Sequence, residues 1–216
     1  MNQQEDSRYS AIDKYIIVIL LSGKAGVGKT TIANFMELYL RENLGYNGVF
    51  KVSFADNVKR TAIKCFGWDG RKDSKGRKLL QNIGNTGREY NDYLWVADAL
   101  MGVYADSVVP PNFIIVDDWR FPNEAEYFEI VRDIYKVIKI RVYAPERETL
   151  VDSPEYYDIS ETSLPEIGWT GQDKELDLVG YYDWFISNRN NNLDELDKRI
   201  VRPLIDNILD KLEEEA

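Results

Sequence analysis

Gly23-Lys24-Ala25-Gly26-Val27-Gly28-Lys29-Thr30 is the stretch on which the reading of the whole chain turns. It fits the pattern G-x-x-x-x-G-K-[ST], and its surroundings fit as well. Before it stands Tyr15-Ile16-Ile17-Val18-Ile19-Leu20-Leu21, a continuous apolar run such as a strand covered on both faces requires. After it, Thr30 to Leu44 sets Ile32, Phe35, Met36, Leu38 and Leu40 among its apolar positions, which predicts a helix. The three glycines let the backbone turn tightly, so that successive N–H groups point inward around a phosphate. The following helix adds the positive end of its dipole. Lys29 brings a positive charge to the β- and γ-phosphates of a bound nucleotide, and the Thr30 hydroxyl can ligate Mg²⁺.

Outward from this loop, strand and helix signals alternate. Val49 to Phe54, Phe113 to Val116, Val137 to Val142 and Trp184 to Ile186 read as four further strands. The last element, Leu193 to Leu212, repeats Leu196, Ile200, Leu204, Ile208 and Leu212 every fourth residue, as an amphipathic helix does, and Pro203 should kink or split it. Strands separated by helices predict a parallel sheet. The expected fold is α/β: a P-loop NTPase with a parallel five-stranded sheet flanked by helices, an insertion and a lid-like excursion. It forms one domain over residues 1–216. Its core covers about 15–58, 89–144 and 183–212, its insertion about 54–101 and its excursion about 145–182.

Composition narrows the chemistry. The 216 residues include no histidine and one cysteine, which excludes a His general base, a Ser-His-Asp triad and a zinc site of Cys/His type. Cys65 has no partner for an internal disulfide, which fits a reducing cytoplasm, and is expected to be a small buried apolar residue beside Phe66. Residues 1–14 are polar with no signal-peptide core, and no apolar run approaches the ~20 residues of a membrane span. The net charge of −10 argues against a general nucleic-acid binder. Basic charge is nevertheless gathered locally. Lys59 to Arg88 holds nine basic residues against two acidic ones, a local +7 that leaves −17 for the rest of the chain. Ala144 to Trp184 is the reverse, with eleven acids against Arg147 and Lys174, and its prolines and glycines read as an irregular excursion. Asp117 and Asp118 end the third apolar run, where a carboxylate can hold Mg²⁺-bound water; the sequence leaves open which of them does so.

No glycine follows Asp117-Asp118 in the D-x-x-G spacing of a GTPase switch, and no N-K-x-D motif reads guanine. Length and excursion suit a small-molecule kinase instead. Several stretches resemble the phage-type deoxynucleoside monophosphate kinases within the nucleotide-kinase superfamily. They are Ser53-Phe54-Ala55-Asp56-Asn57-Val58-Lys59; Gly76-Arg77-Lys78-Leu79-Leu80-Gln81-Asn82-Ile83-Gly84 continuing to Arg88, Asp92 and Trp95-Val96; and Asp118-Trp119-Arg120-Phe121-Pro122-Asn123-Glu124. Ser160-Glu161-Thr162-Ser163-Leu164-Pro165 and Phe185-Ile186-Ser187-Asn188 add to the likeness, which covers most of residues 15–205.

The resemblance implies transfer of a phosphoryl group from ATP, with Mg²⁺, to a deoxynucleoside monophosphate, and makes the insertion at about 54–101 its monophosphate-binding insertion. It implies catalytic roles for Lys29, Asp118 and Arg120, and an ATP site of Gly23 to Thr30 with Thr31 and Asn188. The acceptor site would comprise Lys59, Arg77, Gln81, Gly84, Arg88, Trp95 and Arg120, with Arg141 and Arg147 as lid arginines and Thr30, Asp117 and Asp118 at the metal. For Trp95 a plain core role is an equal expectation. An acceptor phosphate is already ionised, so no general base is needed and the missing histidines cost nothing. The partners expected are small-molecule nucleotides, without nucleic acid or membrane, in the cytoplasm (the bacterial host's if the chain is phage-encoded); a homodimer is left open. A kinase of another small phosphorylated metabolite and a non-catalytic nucleotide-binding module remain the alternatives.

Overall fold

The computed structural model describes residues 14–144, 181–189 and 192–215. Strand β1 (Ile16–Ser22) runs into the glycine-rich loop, and helix α1 (Lys29–Leu38) leaves it. The helical expectation reached Leu44, but from Tyr39 to Asn43 the turns widen, and Leu44 N–H donates to the Tyr39 carbonyl at 3.1 Å. Then follow β2 (Val49–Val52), α2 (Phe54–Phe66), α3 (Ser74–Tyr90), α4 (Leu94–Asp106), β3 (Phe113–Val116), α5 (Pro122–Ile130), β4 (Tyr135–Tyr143) and β5 (Trp184–Ser187). The chain closes with a single turn, α6 (Leu193–Glu195), a wide-turned segment Leu196–Val201, and α7 (Arg202–Glu214). The backbone stays helical through both junctions, so Pro203 does not split the last amphipathic stretch; it stands in the first turn of α7, directly after the wide-turned segment.

All five strands are parallel, in the order β2-β3-β1-β4-β5. Side chains alternate across β1. Ile17, Ile19 and Leu21 join a core with Met36 and Leu40, and with Leu204, Ile208 and Leu212 of α7. Val18 and Leu20 face the opposite core, built with Phe54 and Val58 of α2, Val96 and Leu100 of α4, and Phe128 of α5. The central strand is therefore buried on both faces, which is why it reads as an unbroken apolar run. The pairing Leu20↔Val116 brings the carboxyl ends of β1 and β3 side by side, so the glycine-rich loop and Asp117 emerge at the same edge.

Two local expectations are corrected. Phe54 does not end β2 but opens α2, because its N–H is taken by the Asp118 carboxylate rather than by a neighbouring strand. Cys65 is exposed, not buried. The inward face of α2 carries Phe54, Asn57, Val58 and Ala62, and its last turn, residues 63–66, runs past the core into solvent. Among the described residues no helix is long and apolar enough to cross a membrane.

Candidate functional site

The loop takes its shape from glycines that no other residue could replace at equal cost. Gly23, Gly26 and Gly28 have φ of 145°, 81° and 99°. Gly28 is constrained a second time: a Cβ there would lie 2.5 Å from Asn188 Nδ2. That amide donates to the Val27 carbonyl at 2.9 Å, so the end of β5 supports the loop from beneath. The side chain of Val27 is buried in the core. Lys29 Nζ donates to the carbonyls of Gly23 and Lys24, which keeps the ammonium folded over the loop.

One cleft of about 800 Å³ extends from this loop. Ala25, Gly26, Lys29 and Thr30 line one end. The walls come from the start of α2 (Phe54, Val58, Lys59), from α3 (Arg77, Leu80, Gln81, Gly84, Asn85, Arg88) and from the turn after β3 (Asp117, Asp118, Arg120, Phe121). The α3 residues recur every three or four positions, so a single face of that helix forms the wall. Among the described residues seven basic side chains line the cleft: Lys29, Lys51, Lys59, Lys72, Arg77, Arg88 and Arg120. Four acids accompany them, Asp56, Asp117, Asp118 and Glu124, and two of these four are occupied by backbone N–H groups.

The adjacent aspartates do different things. Asp117 sits beside the loop and accepts a hydrogen bond from the Thr30 hydroxyl. Burial pushes its pKa up, as do the neighbouring Asp118 and Asp56, against the opposing effects of Thr30 and Lys51. Asp118 turns away towards α2. Its Oδ1 accepts from Phe54 N–H at 2.8 Å, and its Oδ2 from Ala55 N–H at 2.9 Å and from the Ser53 hydroxyl at 2.8 Å. A carboxylate at a helix N-terminus satisfies donors that have no intrahelical partner. Among the described residues no cluster of three or more acids could cage a metal. The Thr30 hydroxyl and the partly buried Asp117 carboxylate nevertheless suit Mg²⁺, which takes few protein ligands and completes its shell with water and phosphate oxygens.

The basic wall is built as carefully. Arg88 donates to Asn85 Oδ1 at 2.7 Å and lies over the Phe121 ring at 3.9 Å. Gly84 gives it room, since a Cβ there would stand 3.3 Å from an Arg88 nitrogen. Arg77 Nε donates to the Lys72 carbonyl at 2.9 Å, and Lys59 pairs with Asp56 at 2.6 Å. Trp95 forms a floor rather than an open stacking face. It is 8% exposed, and its indole N–H is spent on the Gly84 carbonyl at 3.0 Å.

Of the expected site residues, Ala25, Gly26, Lys29, Thr30, Lys59, Arg77, Gln81, Gly84, Arg88, Trp95, Asp117, Asp118 and Arg120 all line the one cleft. Gly23, Lys24, Val27, Gly28 and Thr31 shape the loop or the start of α1. Asn188 is buried under the loop, and the smaller hollow beside it is lined by Ser187, Arg189, Asn192, Glu195, Leu196 and Ile200. Arg141 does not belong to an excursion: it is a β4 residue in register with Ser22 and Phe185, 5% exposed, held there because the strand continues to Tyr143. Its Nε has no hydrogen-bond partner among the described residues. Arg147, the stretch Ser160 to Pro165 and residues 145–180 of the excursion lie outside the described residues. Lys51, Lys72 and Glu124 also line the cleft without being expected site residues. Lys72 belongs to the basic run and Glu124 to the Asp118-to-Glu124 stretch, whereas Lys51 carries no signal in the sequence beyond its place in a strand.

No curated protein matches the chain. A family model described as the KAP family P-loop domain matches residues 6–216, almost the full length. With the glycine-rich loop, the parallel sheet and Asp117 already in position, this match identifies the chain as a P-loop NTPase domain that belongs to the KAP family.

Proposed function

We propose that this protein transfers the γ-phosphoryl group of ATP to deoxynucleoside 5′-monophosphates, giving the diphosphate and ADP, in the supply of nucleotides for DNA synthesis. The observation that carries this reading is the cleft. The loop that would hold ATP opens directly onto a second basic wall, Arg77, Arg88 and Arg120, which hydrolysis alone would not require. Arginine forks grip phosphate bidentately, and two facing anion sites are what transfer between two charged substrates needs. An acceptor phosphate oxygen attacks the γ-phosphorus in line as the bond to the β-phosphate oxygen breaks, and ADP leaves with that oxygen. Lys29 neutralises charge on the transferred group; Arg88 and Arg120 hold the acceptor, with Lys59, Arg77 and Gln81 further along the wall. Thr30 and Asp117 would hold Mg²⁺, whose charge offsets that of the phosphates.

On this reading residues 54–101 form the monophosphate-binding region, 145–182 the lid, and the hollow at Arg189 and Asn192 receives the donor base. Such a supply role belongs in the cytoplasm, the host's if the chain is phage-encoded. Membership of the KAP family favours a second reading, NTP hydrolysis without an acceptor. An ADP-release assay with ATP and Mg²⁺ against dGMP, dTMP, dCMP, dAMP and the ribonucleotides separates the two. The kinase reading expects release that depends on a deoxynucleotide and disappears in Lys29→Ala. Release that is indifferent to every monophosphate would establish hydrolysis instead, and turnover only with another phosphorylated metabolite would reassign the acceptor.

A further inference from the structure

The first turn of α5 holds a carboxyl group for which the proposed reaction has no task. Glu124 is 4% exposed, yet it lines the cleft. Its Oε2 accepts two adjacent backbone hydrogen bonds, from Arg120 N–H at 2.8 Å and from Phe121 N–H at 3.1 Å. An acid three residues into a helix commonly reaches back to one N–H and does so in water. Here the group is taken out of water, and burial raises its pKa to about 8 despite both hydrogen bonds and the nearby Arg88. Capping α5 would not demand that cost.

What the two bonds hold explains it better. They fix consecutive peptide groups at the point where the chain presents Arg120 to the cleft and lays the Phe121 ring beneath Arg88. From the other side the buried Trp119 donates its indole N–H to the Phe121 carbonyl at 2.9 Å, so the turn is pinned on both edges. One carboxyl group thus sets two of the three arginines in the wall. We infer that Glu124 is a positioning residue for the acceptor site: by holding the Arg120–Phe121 turn it aligns Arg120 and Arg88 on the phosphate of the acceptor. This inference rests on the monophosphate-kinase reading.

Steady-state kinetics with ATP, Mg²⁺ and dGMP or dTMP test it in the full chain. The wild type comes first: absence of turnover on every deoxynucleoside monophosphate overturns the reaction itself, and the role of Glu124 with it. Where the wild type turns over, Glu124→Met fills the same volume without a hydrogen-bond acceptor. It should raise the KM for the monophosphate about tenfold or more while the KM for ATP stays within about twofold. Glu124→Gln keeps an oxygen able to accept both N–H groups and should recover most of that loss. Equal changes in both KM values, no change in either, or a Gln variant as impaired as the Met variant would each overturn the role while leaving the kinase reading intact. Phe121→Leu leaves Glu124 and its two bonds in place but removes the ring under Arg88, so it serves if Glu124→Met does not fold. The same acceptor-only rise is expected of it, and an unchanged acceptor KM overturns the proposal.

Discussion

Asp117 and Asp118 have the same side chain and neighbouring positions, yet β3 ends just before them, and the two project to different partners. Asp117 meets Thr30, and Asp118 meets the first N–H groups of α2. Their substitutions should therefore separate. Asp117→Asn removes the carboxylate beside the loop hydroxyl and should raise the Mg²⁺ concentration for half-maximal turnover about tenfold or more, with little change in melting temperature. Asp118→Asn turns an acceptor into a donor facing N–H groups, and should cost about 1–3 kcal/mol of stability while leaving the Mg²⁺ requirement near that of the wild type. A magnesium titration and a thermal melt of each variant check both. The reverse assignment of effects would return Asp118 to the metal.

At the scale of elements, α3 and α4 are joined through a glycine. A Cβ on Gly87 would lie 2.4 Å from Trp95 Cζ2 and 2.6 Å from Cε2, far inside contact distance. The indole is held in that place by its hydrogen bond to Gly84, one turn earlier on the same helix. Gly87→Ala should therefore destabilise the protein by about 1–3 kcal/mol, although alanine is the better helix former. Because α3 supplies the basic wall, the substitution should also weaken monophosphate binding more than ATP binding. Denaturant unfolding gives the first effect and calorimetric titration with each ligand the second. A gain in stability would show that α4 can withdraw without loss.

Across the whole molecule, Arg77 and Arg88 of the cleft wall come from a segment of +7 in a chain of net charge −10, and Glu124 is the one acid buried beside them among the described residues. Glu124 carries the clearest consequence. Its pKa stands at about 8 in the folded protein against an ordinary 4.5, so between these values the native state binds a proton that the unfolded chain has lost. Stability from this group is then complete below about pH 4.5 and falls as pH rises towards 8. Glu124→Gln, which does not titrate, should be less steeply destabilised across that window than the wild type. Melting temperatures of both at several pH values between 5 and 8 measure the difference, and parallel curves would mean that Glu124 is ionised in the native state.

The nucleotide loop, the parallel sheet and the basic segment are legible in the amino-acid order alone, because each rests on local chemistry: glycines before a lysine and threonine, apolar runs long enough to be covered on both faces, charge concentrated within thirty residues. Packing in three dimensions was needed to show which aspartate faces the loop, that Asn188 supports it from below, that Arg141 is buried within the sheet, and that Glu124 holds the turn whose Phe121 ring lies against Arg88. Those assignments depend on partners far apart in the chain: 161 residues separate Asn188 from Val27, and 64 separate Asp118 from Phe54. Spacing along a sequence sets which face of a strand or helix a side chain occupies. What that face meets is set by how the helices pack across the sheet.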